Sequence, residues 1–153
     1  LKNAVRLSLF LVVALFLVSF ASACDVCNAT CGPCGGGCTA TDMTSMYSGV
    51  TGFDATYGDI TGWNTSCITS MNSMFANSDF NQDISSWDTS GVTDMNFMFY
   101  GAQNFNQNLS VWDTSRVTDM NNMFDVATSF NGDLSGWDVS KVTNMQGMFA
   151  NAY

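Results

Sequence analysis

The chain contains no histidine and no glutamate, one proline, and only four lysines and arginines among 153 residues. Without histidine there is no side chain whose ordinary titration falls near neutrality. The Ser–His and Cys–His pairings of covalent catalysis are excluded with it, and no other motif pairs a nucleophile with a base. The expectation is a protein that is not an enzyme. Lys2 and Arg6 lie in the first 23 residues, so residues 24–153 carry Arg116 and Lys141 against thirteen aspartates, a net charge of −11. Such a surface repels nucleic acid and anionic lipid head groups, and suits cations or basic partners. Acidity carried by aspartate alone also fits a turn-rich chain, because aspartate closes turns and caps helices.

Long apolar runs are scarce too. The longest, LSLFLVVALFLVSF, has 14 residues, short of the roughly 20 a membrane-spanning helix needs. With Lys2 and Arg6 before it and Ala21-Ser22-Ala23 after it, residues 1–23 read as a secretory signal peptide. A retained anchor and lipid attachment at Cys24 are the alternatives. Any other membrane attachment would come from an anchor outside this sequence.

Six cysteines are present, five of them crowded into CDVCNATCGPCGGGC as Cys24, Cys27, Cys31, Cys34 and Cys38, with Cys67 further on. Paired C-x2-C units read as zinc ligands in a reducing compartment. Behind a signal peptide, disulfides are the better reading. Residues 24–40 are therefore expected to form a disulfide-rich cap segment, with Cys67 stapling it to the first repeats. Three N-x-[ST] triplets make Asn28, Asn64 and Asn108 glycosylation candidates in a eukaryotic secretory pathway.

What the chain does have is a repeat. Trp63, Trp87, Trp112 and Trp137 recur at intervals of 24, 25 and 25 residues. Phe80–Asn104 reads FNQDISSWDTSGVTDMNFMFYGAQN, and Phe105–Ser129 reads FNQNLSVWDTSRVTDMNNMFDVATS. A fixed period in this range marks stacked units that each lean on their neighbours. Ile84, Trp87 and Thr89 match the L-x-x-L-x-L spacing of leucine-rich repeats, which predicts a short strand with Trp87 and Thr89 inward and Asp88 and Ser90 outward. Val92, Met95, Met98, Phe99 and Ala102 fall at steps of three and four, which predicts a short helix with Thr93 as N-cap.

The ten methionines form five M-x-x-M pairs, 43/46, 71/74, 95/98, 120/123 and 145/148. They read as core, with soft Cu(I) ligation as the alternative. The tryptophan column reads as core as well. Two acidic columns, Asn64/Asp88/Asp113/Asp138 and Asp59/Asp83/Asn108/Asp133, read as hydrogen-bonded turn residues, with Ca²⁺ as the alternative ligand. No other cofactor or metal is expected.

The consensus FNxDLSxWDVSxVTxMxxMFxxA resembles the repeat of BspA-like leucine-rich-repeat surface proteins. It is similar also to repeats of mycoplasma and Listeria lipoproteins and of protists. The resemblance covers residues 63–153, and residues 41–62 fit in part as a degenerate first repeat whose spacing is several residues too long. It implies an α/β solenoid of one short strand and one short helix per repeat, secreted or held at a cell surface. It implies binding or adhesion to a protein or glycan partner and no catalytic residues. The expected interacting face is the outward set Asp88, Ser90, Asp113, Ser115, Asp138 and Ser140. The alternative is a structural cell-wall or matrix protein without a specific ligand. Because Tyr153 falls inside a repeat, the repeat array is expected to be truncated at that end.

Overall fold

The computed structural model describes residues 41–153, so the expected signal peptide over 1–23 and the cysteine-rich segment over 24–40 lie outside the described residues. Successive repeats lie parallel to one another as irregular coils. Single parallel bridges join Asp42 to Ser70, Ser70 to Asp94, Asp94 to Asp119, and Asp119 to Asn144. One helix, α1, spans Phe53–Tyr57. Among the described residues there is no other helix and no strand or sheet. The expected α/β, leucine-rich-repeat-like solenoid of strand plus helix is therefore not what this chain builds.

The expected helix fails for a reason visible in the backbone. In the second coil the N–H groups of Met71, Ser73, Phe75 and Asn77 leave the coil and donate to the carbonyls of Asp94, Asn96, Met98 and Tyr100, at 3.0, 2.9, 2.9 and 2.6 Å. The intervening N–H groups of Met74, Ala76 and Ser78 turn back to Met71, Ser73 and Phe75 at 3.2, 3.1 and 3.2 Å. An α-helix would commit every N–H to the carbonyl four residues earlier. Here alternate donors are shared between neighbouring coils. The chain changes direction through left-handed residues four apart, Ser73 and Asn77 at φ 54° and 55°, Phe97 and Gly101 at 53° and 64°. Serine, asparagine and glycine occupy most of these positions. They are poor helix formers, and glycine and asparagine tolerate the left-handed region best. Met71, Met74 and Phe75 are nevertheless buried together, because this chain of turns brings residues back to one side at steps of three and four, as a helix does.

The expected strand is also a turn. Trp87 and Thr89 are buried while Asp88 and Ser90 are exposed, as alternation requires. The backbone, however, is folded by i→i+3 bonds, with Trp87 N–H on the Ile84 carbonyl at 3.1 Å and Val92 N–H on Thr89 at 2.9 Å. Thr93 does not cap a helix; its hydroxyl donates to the Thr69 carbonyl of the previous coil at 3.2 Å.

Columns of aromatic rings run up the core. Phe75, Phe99, Phe124 and Phe149 stack at 5.7, 5.4 and 5.5 Å between centroids. Phe80, Phe105 and Phe130 form a parallel column at 6.0 and 5.9 Å. The two columns meet within each coil at about 4 Å, as in Phe99–Phe105 at 3.9 Å. Eight of the ten methionines are buried beside them, where each contributes roughly 1.5–3 kcal/mol by leaving water. Three tryptophans also tie coil to coil. The Nε1–H of Trp87, Trp112 and Trp137 donates to the carbonyl of Ile60, Ile84 and Leu109, at 3.2, 3.0 and 2.8 Å. Trp63, first in that column, holds its Nε1–H buried, with no acceptor among the described residues.

Helix α1 accounts for the extra residues of the first repeat. The carboxylate of Asp79, one coil on, accepts the N–H groups of Gly52 and Phe53 at 2.5 and 3.1 Å. Gln82 donates to Asp54 and to the Gly58 carbonyl, both at 2.7 Å. The insertion is thus pinned to the second coil, and Phe53 packs edge-on against Phe80 at 4.8 Å.

Candidate functional site

Each coil is closed at its corners by aspartate or asparagine, except that Ser70 takes one corner of the second coil, its hydroxyl accepting the Asn72 N–H at 3.4 Å. In the column Asn64, Asp88, Asp113 and Asp138, each Oδ1 accepts the N–H of the serine two residues on, at 3.1, 3.0, 3.0 and 2.9 Å. In the column Asp59, Asp83, Asn108 and Asp133 the same bond runs to Thr61, Ser85, Ser110 and Ser135, at 2.9, 3.0, 2.8 and 2.8 Å. A third column, Asp42, Asp94, Asp119 and Asn144, does likewise with Thr44, Asn96, Asn121 and Gln146, at 2.7, 2.9, 2.8 and 3.2 Å. These are Asx turns, in which a short side chain mimics the next backbone unit and fixes the bend. Asparagine and aspartate alternate within a column because the turn itself uses only Oδ1; in the third column the Oδ2 atoms of Asp94 and Asp119 also accept from Asn72 Nδ2 and Asn144 Nδ2, each at 3.3 Å.

The expected interacting residues Asp88, Ser90, Asp113, Asp138 and Ser140 are exposed and Ser115 is half-buried, all on one side of the stack. The serines serve the turns: the Ser90 hydroxyl donates to Asp88 at 2.6 Å. Hydroxyl donation from Ser115 and Ser140, with the same serines' N–H groups, holds the carboxyls of Asp113 and Asp138 below the ordinary aspartate range. For Asp113 the neighbouring carboxylate Asp138 opposes this shift, which places the two charges within electrostatic reach. The Thr44 and Thr61 hydroxyls lower Asp42 and Asp59 in the same way. For Asp83 and Asp133 the N–H groups of Ser85 and Ser135 are the larger cause.

These carboxyls hold their protons less tightly folded than unfolded. Their stabilisation is fully present above the unfolded value of about 3.9 and is lost as pH falls through the lower folded values. The melting temperature is therefore expected to stay flat from pH 7 to about pH 5 and to fall below about pH 4. A thermal melt series across that range measures it; a decline centred near pH 6 would contradict the assignment.

No three carboxylates or thiols converge into a metal-holding group among the described residues. The depressions beside the columns are shallow, one of them lined by Asp83, Ser85, Gln107, Asn108, Ser110 and Val111. Of the glycosylation candidates, Asn64 and Asn108 are exposed at Asx turns and Asn28 lies outside the described residues. Cys67 is disulfide-bonded, while Cys24, Cys27, Cys31, Cys34 and Cys38 lie outside the described residues. No helix among the described residues is long and apolar enough to cross a membrane.

Two features escaped the sequence reading. The third Asx column falls where the spacing predicts a helix, with Asp94 next after the expected N-cap Thr93. An asparagine ladder also runs along the Phe-Asn pairs, with Asn81 Oδ1 accepting the Asn106 N–H at 2.9 Å and Asn106 Oδ1 accepting the Asn131 N–H at 2.8 Å. Its only sequence signal is the fixed offset of asparagine behind phenylalanine.

No curated protein matches the chain, and no solved structure matches it. A family model does, over residues 41–153, the span that the stacked coils occupy. The chain belongs to the family described as Mycoplasma protein of unknown function, DUF285.

Proposed function

We propose that this chain is a secreted or cell-surface scaffold that binds a protein or glycan partner through its outward Asx-turn columns, without catalysis. The observation that carries this reading is the row Asp88, Asp113 and Asp138. These carboxylates are exposed, held by turns, and repeated once per coil. The inward side chains are spent on stacking coil on coil, so the outward rows are what the molecule offers to others. A rigid row of like charges favours a multivalent basic partner and raises its rate of encounter. The disulfide at Cys67 supports an oxidising, extracellular setting, as do the expected export signal over residues 1–23 and the repeat's likeness to BspA-like surface proteins. Nucleic acid is not a partner for so acidic a surface.

Replacing Asp88, Asp113 and Asp138 together by asparagine separates binding from folding, because Asn64 occupies the same column and makes the same turn. The triple variant is expected to stay folded at a modestly lower melting temperature, because asparagine keeps the Oδ1 acceptor but gives up the ionised carboxylate that the turn favours at Asp113 and Asp138. It is expected to lose about tenfold or more in affinity for the partner, as removal of several phased charges does. The measurement is a titration of the immobilised chain against extracellular-matrix proteins and a glycan array. Saturable, competable binding that the variant loses supports the scaffold; failure of every partner to saturate would favour a purely structural wall or matrix role.

A further inference from the structure

The third coil, inside the stack, differs from its neighbours on the outward side. In each coil the residue after the first methionine's neighbour stands at a left-handed corner. Ser45, Ser73, Asn122 and Gly147 hold it at φ 55°, 54°, 50° and 65°, but the third coil places Phe97 there at 53°. A bulky side chain is rare in that region, because its Cβ crowds the backbone. Three residues on, the other coils carry Ser48, Ala76, Asp125 and Ala150, and the third carries Tyr100. The rings of Phe97 and Tyr100 meet edge-on at 5.5 Å and 66°. Both stay partly exposed, and the Tyr100 hydroxyl meets no hydrogen-bond partner among the described residues. The neighbouring coils show that the fold needs neither ring. Strain kept where serine or asparagine would serve points to a use for the side chain.

The charge around the pair is of one sign. Asp125 holds the place of Tyr100 in the next coil, where its carbonyl accepts the Gly101 N–H at 2.8 Å. Its carboxylate takes Asn151 Nδ2 on Oδ1 at 3.1 Å, and Oδ2 meets no donor among the described residues. Asp94 lies three residues before Phe97, partly exposed. The two cations of the described residues, Arg116 and Lys141, follow the tryptophan turns instead. Aromatic faces attract a cation, and a carboxylate in the adjoining coil pairs with it. We propose that Phe97, Tyr100 and Asp125 hold an arginine side chain of a basic polypeptide partner. Arginine fits better than lysine because its guanidinium is planar, stacks on rings and presents a fork of donors to a carboxylate. The site lies apart from the row Asp88, Asp113 and Asp138 and stands without it.

The test uses the full chain and two fluorescein-labelled probes of equal charge, hexa-arginine and hexalysine. Fluorescence anisotropy is read at about 0.15 M salt, where long-range attraction is damped. The variant Phe97→Ser with Tyr100→Ala copies Ser73 and Ala76 of the second coil and removes no charge, so any loss belongs to the rings. The wild type is expected to bind hexa-arginine saturably and about tenfold more tightly than hexalysine, and the variant to lose that advantage. Thermal melts check the fold, and Phe97→Ser alone, with a loss of about threefold expected, guards against a double variant that does not fold. Equal affinity of the wild type for both probes, or hexa-arginine binding unchanged in the folded variants, would overturn the proposal. So would a neutral glycan that the wild type binds and the ring variant loses while arginine shows no preference, since the rings would then be stacking on sugar.

Discussion

Phe99→Ala is expected to destabilise the protein by about 3–5 kcal/mol, the range for removing a buried aromatic ring from a core that cannot collapse around the gap. Phe99 is fully buried. It lies between Phe75 and Phe124 at 5.7 and 5.4 Å, against Phe105 at 3.9 Å, and beside Trp112 at 6.4 Å. A cavity there interrupts two ring columns at once and separates the coils before it from those after it. Since a domain's whole stability is about 5–15 kcal/mol, a loss of this size leaves little margin. The control is Phe149→Ala, the same deletion at the half-exposed end of the same column, where about 1 kcal/mol is expected. Urea unfolding of both variants gives the comparison. Equal costs would mean that the ring column is not the core; a large difference, with a shallower transition for Phe99→Ala, would show the two halves unfolding separately.

The period, the inward tryptophans and the aspartate turns were legible because each rests on chemistry that does not depend on the backbone between them. A tryptophan every 25 residues must be buried to offset chain entropy, whatever element carries it. An aspartate followed two residues later by serine closes an Asx turn in almost any context. The element types were not legible from periodicity. Met95, Met98 and Phe99 share a side in a helix, and they share it equally in a chain of turns with left-handed corners. What distinguishes the two is the residue between the methionines: Ser45, Ser73, Asn122 and Gly147 all sit at positive φ. Read as a column rather than as helix filler, that set of small polar residues signals left-handed corners. Only Phe97, at φ 53° in the same column, disguises it.

The candidate site shows the same division. Asp88, Asp113 and Asp138 were legible as outward residues, because alternation around a buried tryptophan holds for a turn as for a strand. Their second role was less visible. The serines expected to face a partner are the donors that fix the carboxylates, so Ser90, Ser115 and Ser140 shape the row more than they extend it. The third column was hidden because Asp94 and Asp119, placed at a helix start, look like residues favoured by the helix dipole. In the structure there is no helix for them to cap, and their Oδ1 atoms bend the chain instead.

Asn122 gives the sharpest test of that backbone. Its φ is 50° and its N–H donates across the junction to the Gln146 carbonyl at 2.9 Å. Proline at this position loses the donor and is confined to φ near −65°, so Asn122→Pro is expected to cost about 3 kcal/mol or more. Proline would also be costly inside a helix, so this variant alone does not discriminate. Asn122→Ala does. In a helix alanine is the best former, so the change would stabilise by about 0.5 kcal/mol. At a left-handed corner alanine keeps the contact between Cβ and backbone without asparagine's tolerance of it, and Gly147, which has no Cβ, holds the equivalent place in the next coil at φ 65°. Asn122→Ala is therefore expected to cost about 1 kcal/mol. The lost bond from Asn122 Nδ2 to Asn121 at 3.0 Å acts in the same direction. A gain in stability for Asn122→Ala would point back to a helix. A loss in both variants locates the stability of each coil where the hydrogen bonds place it, in donors given to the neighbouring coil rather than kept within its own.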